Sequence, residues 1–179
     1  MTAPRVVLIG PPGSGKSTAA ALLAARLGLE SRDTDADIEA TAGKTVAEIF
    51  VDDGEPHFRD LERAAVGEAL ATHTGVLALG GGSVMDPAVE AALTGHTVVF
   101  LDVGIADAAG RIGFTKDRPL LMVNPRQQWS VLMEARRATY ERLATIRVDT
   151  AGKTPDQVAA EIEQALPSVE AVDPGSAVP

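Results

Sequence analysis

The sequence predicts an α/β domain in which a central parallel sheet of about five strands lies between two layers of helices. Three observations predict this three-layer α/β/α class. Strand-like and helix-like segments alternate along the chain. The strand candidates are short and mostly apolar throughout, which is typical of parallel strands covered on both faces. The first strand candidate leads through a glycine-rich turn into a helix, as in a doubly wound sheet.

The elements follow one another in a regular order. Strands are expected at Val6–Ile9, Ser31–Thr34, Val76–Leu79, Val98–Leu101 and Ile146–Val148. Helices are expected at Lys16–Leu27, Asp35–Thr41, Val46–Phe50, Pro56–Thr72, Pro87–Leu93, Ile105–Ile112, Gln127–Leu143 and Pro155–Leu166. We expect one domain over residues 1–166. The tail over 167–179 contains prolines, small residues and acids, and is expected to be disordered.

The composition is that of a globular protein with one sizeable core. Apolar residues make up 45% and charged residues 23% of the 179 residues. No apolar stretch approaches the roughly 20 residues of a membrane helix, and no apolar signal segment precedes the first strand. Cysteine is absent, which excludes disulfides and thiolate metal sites. We therefore expect a cytoplasmic protein that does not associate with membranes.

The charge balance argues against a nucleic-acid partner. The formal net charge is −9, whereas nucleic-acid binding usually depends on a basic face. An anionic small ligand would require basic residues to be gathered locally. Lys16, Arg59, Arg118 and Arg136 each lie in a recognisable local pattern.

The clearest motif is the phosphate-binding loop (P-loop) pattern of residues 10–17, Gly-Pro-Pro-Gly-Ser-Gly-Lys-Ser. It has the strand–loop–helix context that the motif requires. Glycines let several backbone N–H groups converge on phosphate oxygens, and the helix start adds a positive dipole end. Lys16 supplies a mobile cation, and the Ser17 hydroxyl is placed to bind Mg²⁺. The motif predicts binding of a nucleoside triphosphate.

Two aspartates follow the second strand candidate. Asp33 and Asp35 are two positions apart, so in an extended segment both side chains face the same way. One could hold magnesium through its water shell, and the other could accept a hydroxyl proton. The alternative is helix capping, because Thr34 with Asp37 three residues later resembles a capping box.

An arginine and a glutamate open the long fourth helix. Arg59 and Glu62 are three residues apart and share a helix face, so the carboxylate could orient the guanidinium toward an anionic substrate. A surface ion pair is the alternative. Gly80, Gly81 and Gly82 follow the third strand candidate and suggest close approach of the backbone to a ligand. A plain tight turn is equally compatible with these three glycines.

Two further segments carry arginines. Arg118 lies after a polar, glycine-containing stretch that could form a lid and stabilise the transferring charge. A solvated surface loop is the alternative. Arg136 and Arg137 lie on the next helix, where one could reach inward while the other stays solvated. Trp129 and Tyr140 on the same helix are expected to serve packing.

Other patterns carry less weight. Asp102 ends an apolar strand, which fits the second magnesium-site pattern of many P-loop proteins, but any buried strand followed by aspartate matches it. The three histidines show no metal-ligand spacing. No nucleophile elbow or Cys–His arrangement predicts covalent catalysis.

In their order along the chain, these motifs resemble those of the shikimate kinase family. The resemblance runs from Val6 to Leu166. The matching segments are residues 10–17, 33–35, 54–62, 79–82, 118–121, 136–140 and 148–150. It implies a P-loop fold of the nucleoside-monophosphate-kinase type with a lid at about residues 112–125. It also implies a monomer that uses ATP and Mg²⁺ to phosphorylate the 3-hydroxyl group of shikimate.

The resemblance assigns roles to the matched positions. Lys16, Asp35 and Arg118 would be catalytic. Contacts to ATP would come from Gly13, Ser14, Gly15, Lys16, Ser17, Thr18, Arg111, Arg118 and Lys153. Contacts to shikimate would come from Asp35, Arg59, Gly80, Gly81, Gly82 and Arg136. Ser17 would bind Mg²⁺ directly and Asp33 through water, which lowers the weight of Asp102.

Two alternative functions stay open at this point. One is another small-molecule kinase of the same fold, such as a gluconate-kinase-like enzyme, against which the Gly-Glu-x-x-Phe-Arg stretch at residues 54–59 argues. The other is a non-enzymatic nucleotide-binding module. A GTP switch usually carries an Asn-Lys-x-Asp motif, and residues 115–117, Thr-Lys-Asp, do not supply it.

Overall fold

Five parallel strands form one sheet in the computed structural model, which describes residues 2–112 and 124–168. The strands are β1 (Val6–Ile9), β2 (Ser31–Asp33), β3 (Val76–Ala78), β4 (Val98–Asp102) and β5 (Ile146–Asp149). Their spatial order is β2-β3-β1-β4-β5, so β1 is the central strand. Strands β2 and β3 lie on one side of β1, and β4 and β5 lie on the other. Val6 pairs with Val76 of β3, and Val7 pairs with Val98 of β4. The predicted fold class is confirmed.

Eight α-helices connect and cover the strands in the described residues. They are α1 (Lys16–Leu27), α2 (Thr34–Ala42), α3 (Val46–Asp52), α4 (Glu55–Thr72), α5 (Pro87–Ala92), α6 (Ile105–Ile112), α7 (Pro125–Leu143) and α8 (Pro155–Ala165). Each end lies within two residues of its predicted position. A short 3₁₀ helix at Ser83–Met85 was not predicted from the sequence.

The sheet is buried on both faces, as continuous apolar strands predict. On one face, Val7 and Ile9 of β1 belong to a core with α4, α5 and α7. On the other face, Val6 and Leu8 belong to a core with α1 and α8. Successive strand residues point to opposite faces, so one strand supplies both cores. A smaller core joins α2, α3 and α4 through Ile38, Ile49 and Phe58.

Most of the predicted lid and of the predicted tail lies outside the described residues. Residues 113–123, which include Arg118, and residues 169–179 belong to these undescribed parts. The lid, the disordered tail and the single-domain boundary therefore stay predictions. Among the helices of residues 2–112 and 124–168, none has the combined length and hydropathy needed to cross a membrane.

Candidate active site

A cavity of about 420 Å³ opens at the carboxyl ends of β1, β2 and β3. The P-loop and the start of α1 form one wall through residues 12–19. Asp33 is the last residue of β2, Asp35 lies two residues further on, and residues 79–81 follow β3. Arg111, Ile112, Lys153, Pro155 and Val158 complete the lining. A cavity at this edge of the sheet is where parallel α/β folds bind their ligands.

The P-loop presents a helix start toward this cavity. Helix α1 begins at Lys16, after Gly15, and no side-chain cap occupies its N-terminus in the described structure. The first backbone N–H groups of a helix lack partners within the helix, which suits them to phosphate oxygens. The Lys16 ammonium donates to the carbonyls of Gly10 at 2.8 Å and Pro11 at 3.1 Å. The loop therefore holds this cation beside its own backbone donors.

The Ser17 hydroxyl donates a hydrogen bond to the Asp33 carboxylate. The other Asp33 oxygen accepts from the Asp35 N–H at 2.9 Å, which makes Asp33 the N-cap of α2. The alternative in which Thr34 caps the helix is therefore wrong, because Asp33 is the N-cap and Thr34 is the first residue of α2. Thr34 is buried, and its hydroxyl accepts from the Gly80 N–H at 3.3 Å.

The oxygen pair of Ser17 and Asp33 fits a hard divalent cation such as Mg²⁺. Within the described residues no group of three histidine, cysteine, aspartate or glutamate side chains is placed to hold a metal. Mg²⁺ commonly retains several waters and binds through one or two protein oxygens together with substrate phosphates. The two side chains therefore suit a metal that arrives with a nucleotide.

The Gly80–Gly82 turn lies against four charged side chains. A Cβ atom on Gly80 would be 2.8 Å from an oxygen of Asp35 and 2.8 Å from an oxygen of Glu62. A Cβ atom on Gly82 would be 2.7 Å from a nitrogen of Arg59 and 3.0 Å from one of Arg136. The turn is glycine-rich because side chains here would displace these charged groups. The three glycines therefore do more than form a tight turn, because they let the backbone lie close to these charged side chains.

Arg59 is held by two glutamates of α4. Its guanidinium donates to Glu62 at 2.6 Å and to Glu55 at 3.2 Å. The Glu62 side chain is 3% exposed and the Glu55 side chain 51%, so the shorter ion pair is not a surface pair. Burial raises the pKa of Glu62, and Arg59 and Arg136 oppose that rise. Burial also disfavours the Arg59 cation, but the charges and hydrogen bonds of Glu62 and Glu55 together outweigh it and raise the arginine pKa.

The structure separates the two consecutive arginines of α7. Arg136 is 7% exposed and reaches Gly81 and Gly82. Arg137 instead makes two hydrogen bonds to Asp102, at 3.0 and 3.1 Å. Arg147 of β5 adds a third at 2.5 Å. Asp102 is thus the centre of an ion-pair cluster, and it does not line the cavity.

Arg111 and Lys153, which the resemblance assigns to ATP, are both held by hydrogen bonds to the backbone. Arg111 donates to the Gly13 carbonyl at 3.2 Å and to the Thr150 carbonyl at 2.9 Å. Lys153 donates to the Asp149 carbonyl at 2.7 Å and to Glu161 at 2.6 Å. Both side chains line the cavity. Arg118 lies outside the described residues, so its role stays a prediction.

Two side chains of α7 donate hydrogen bonds that were not predicted from the sequence. The Trp129 indole N–H donates to the Pro12 carbonyl at 2.7 Å, and the Tyr140 hydroxyl donates to the Gly81 carbonyl at 2.5 Å. Both rings are buried, as packing predicts. A polar atom on a buried tryptophan or tyrosine usually has a partner, and this was the available signal.

Comparisons with known proteins agree with one another. The shikimate kinase family model matches residues 12–167. A shikimate kinase of Salinispora tropica is 57% identical over 93% of the chain and 99% of the relative. One from Streptomyces avermitilis is 54% identical over 96% of the chain and 100% of the relative.

Solved structures give the same family. A shikimate kinase from Acinetobacter baumannii in complex with shikimate matches with a TM-score of 0.88 and 34% identity, over 92% of this chain and 93% of that one. A gluconokinase from Sinorhizobium meliloti matches with a TM-score of 0.58 and 21% identity, over 91% of each chain, which shows a shared fold only.

Proposed function

The chain belongs to the shikimate kinase family, and we propose that the residues lining the cavity at the carboxyl ends of β1, β2 and β3 perform its reaction. That reaction is the ATP-dependent phosphorylation of shikimate. One observation carries the assignment of residues. The P-loop, Asp35 and Gly80–Gly81 line a single cavity, and Arg59 and Arg136 lie against the same glycine turn. Donor and acceptor sites therefore adjoin one another.

The donor side is built for the triphosphate of ATP. Backbone N–H groups of residues 13–18 surround the phosphates of bound ATP. The Lys16 ammonium then donates to phosphate oxygens in place of the loop carbonyls that it contacts in the structure. Mg²⁺, when bound with ATP, supplies further positive charge near Ser17 and Asp33. Arg111 and Lys153 border the part of the cavity left for the base and ribose. Arg118 is assigned to the transferring phosphoryl group by the family resemblance alone.

The acceptor side suits a cyclic alcohol that carries a carboxylate. Arg59 and Arg136 provide two cations beside Gly82, and paired guanidiniums bind carboxylates well. Asp35, beside Gly80, accepts hydrogen bonds from hydroxyl groups. The attacking hydroxyl oxygen bonds to the γ-phosphorus as the bond to the β-phosphate oxygen breaks, and Asp35 takes the hydroxyl proton.

Glu55 competes with the substrate for Arg59. Glu62 accepts from one terminal nitrogen of the guanidinium, and the exposed Glu55 accepts from Nε and the other terminal nitrogen. A substrate carboxylate would take the place of Glu55, while the buried Glu62 keeps Arg59 oriented. We further propose that the protein is a monomer, as the family resemblance implies. We also propose that it is cytoplasmic and has no nucleic-acid partner, because it lacks cysteine and carries a net charge of −9.

The decisive experiment measures ADP formation with ATP, Mg²⁺ and each of several acceptors. Shikimate should support rapid ADP release, and the product should be phosphorylated at the 3-hydroxyl group. Gluconate and water should support little. Turnover with gluconate but not shikimate would refute the proposal, as would shikimate-independent ADP release at the full rate. The matched control is Lys16→Met, which should fold and lose turnover.

A further inference from the structure

The geometry points to Trp129 and Tyr140 as positioning residues that set the orientation of one peptide group on each side of the active site. Each donates a side-chain hydrogen bond to a carbonyl immediately before a glycine of the site. Trp129 holds the Pro12–Gly13 peptide of the P-loop. Tyr140 holds the Gly81–Gly82 peptide of the acceptor turn. This inference rests on the proposed division into donor and acceptor sites.

The first contact fixes a backbone donor of the P-loop. In a trans peptide the C=O and the following N–H point in opposite directions. Pro12 and Gly13 line the cavity and Trp129 does not. With the Pro12 carbonyl bound to the indole, the Gly13 N–H is directed away from Trp129. Rotation of this peptide would instead turn a carbonyl dipole toward the bound phosphates.

Gly13 needs outside support because its own backbone is permissive. Its φ is +80°, a region that glycine enters freely and other residues rarely do. A Cβ atom here would lie 2.8 Å from the Ile112 side chain, so a stiffer residue does not fit. Arg111 binds the Gly13 carbonyl at 3.2 Å. The peptides before and after Gly13 are therefore both held by side chains of neighbouring helices.

The second contact acts in the same way on the acceptor turn. The Tyr140 hydroxyl donates to the Gly81 carbonyl at 2.5 Å, which directs the Gly82 N–H to the opposite side. Among the three glycines of the turn, Gly82 is the one at which a Cβ atom would come closest to Arg59 and Arg136. Tyr140 is fully buried, and burial raises its pKa, so the phenol keeps its proton and remains a donor.

One helix links the two contacts. Trp129 and Tyr140 are separated by about three turns of α7 and lie on the same buried face, with Met133 between them. Arg136, on this face, contributes its guanidinium to the acceptor side. Helix α7 thus aligns a donor peptide, an acceptor peptide and a substrate-binding cation within one rigid element.

The test is a crossed comparison of ligand affinities by calorimetry, with a non-hydrolysable ATP analogue plus Mg²⁺ and with shikimate. Trp129→Phe should weaken nucleotide binding about fivefold, the size of one lost hydrogen bond, and leave shikimate binding within about twofold. Tyr140→Phe should do the reverse. Met133→Leu, a volume-conserving change between them, should alter neither affinity.

A second variant removes only the indole donor. Benzothienylalanine at position 129 keeps the ring shape and replaces N–H by sulfur, so it decides the question even if Trp129→Phe repacks or unfolds. Weakened nucleotide binding in this variant supports the inference. Unchanged nucleotide binding, or equal weakening of both ligands by either substitution, overturns it. Absence of shikimate-dependent ADP formation by the wild type would instead refute the proposed function.

Discussion

Arg136 and Arg137 are adjacent in sequence, yet their guanidinium groups serve two separate charge clusters. Arg136 is buried beside Gly81 and Gly82, and Arg137 forms a two-point ion pair with Asp102. Consecutive helix residues point about 100° apart, which is sufficient to send one toward the site and the other toward the end of β4.

The two arginines should therefore differ in their effect on shikimate. Arg136→Gln is expected to lower kcat/KM for shikimate by about 10- to 100-fold, because a charge-assisted hydrogen bond is lost. Arg137→Gln should change it by less than about threefold, since half-exposed ion pairs contribute little. Steady-state kinetics at saturating ATP measures both. An equal loss in the two variants would contradict the separation.

The two glutamates that bind Arg59 differ in burial and should differ in their contribution to stability. Glu62→Gln should destabilise the fold by about 2 kcal/mol, because it removes the buried negative charge that is paired with the Arg59 guanidinium. Glu55→Gln should cost less than about 1 kcal/mol, as expected for an exposed pair. Denaturant unfolding gives these values.

The same pair tests whether Glu55 competes with the substrate. Glu55→Gln should bind shikimate at least as tightly as the wild type, because Arg59 then gives up no ion pair. Glu62→Gln should bind it more weakly, because Arg59 loses its orientation. Shikimate titrations of the two folded variants provide the comparison, and weaker binding by Glu55→Gln alone would exclude competition.

Asp102 should make stability depend on pH on the acid side. Burial alone would raise the pKa of Asp102, but the hydrogen bonds and charges of Arg137 and Arg147 outweigh it and lower the pKa below the usual value of 3.8. A carboxyl group with a lowered folded-state pKa stabilises the fold above its unfolded pKa. That contribution is lost as the pH falls through the folded pKa.

The matched variant is Asp102→Asn. The difference in unfolding free energy between wild type and variant should be constant above about pH 5 and should shrink below the unfolded pKa. Urea unfolding at a series of pH values measures it. A difference that grows with acidification would mean that Asp102 is not stabilised as an anion by the two arginines.

Most of the fold follows from local sequence patterns. Continuous apolar runs such as Val98–Leu101 predicted buried strands, and Gly10–Ser17 predicted the strand–loop–helix start and its phosphate chemistry. The Arg59–Glu62 pair was also accessible, because residues three apart on a helix are neighbours. These features depend on residues close together in the sequence.

The parts that sequence could not supply depend on long-range contacts. The partner of Arg137 is 35 positions away, and the carbonyl bound by Trp129 is 117 positions away. Packing was predicted for Trp129 and Tyr140, but the choice of acceptor required the positions of whole helices. The alternative of a Thr34 cap was wrong by one residue. Asp33 and Thr34 are adjacent and both residue types are good N-caps, so local sequence did not decide between them.

A side chain at position 82 of the acceptor turn should impair shikimate binding. Gly82→Ala places a methyl group within 3.0 Å of Arg59 and Arg136. Because guanidinium ends are flexible, the protein should fold with a modest loss of stability, while KM for shikimate rises at least tenfold and KM for ATP changes little. Gly67→Ala is the control: it lies on the exposed side of α4 with open space around it, and should stabilise the helix slightly.

Asp33 combines a structural and a proposed metal-related role, and two substitutions separate them. Asparagine is as good an N-cap as aspartate but carries no charge. Alanine neither caps the helix nor carries a charge. Asp33→Asn should retain stability within about 0.5 kcal/mol and should require more Mg²⁺ for half-maximal activity. Asp33→Ala should show the same Mg²⁺ dependence and lose about a further 1 kcal/mol of stability. Magnesium titrations of activity, together with thermal unfolding without nucleotide, distinguish the roles. If Asp33→Asn kept the wild-type Mg²⁺ dependence, Asp33 would serve α2 and Ser17 only, and the metal would be held without its charge.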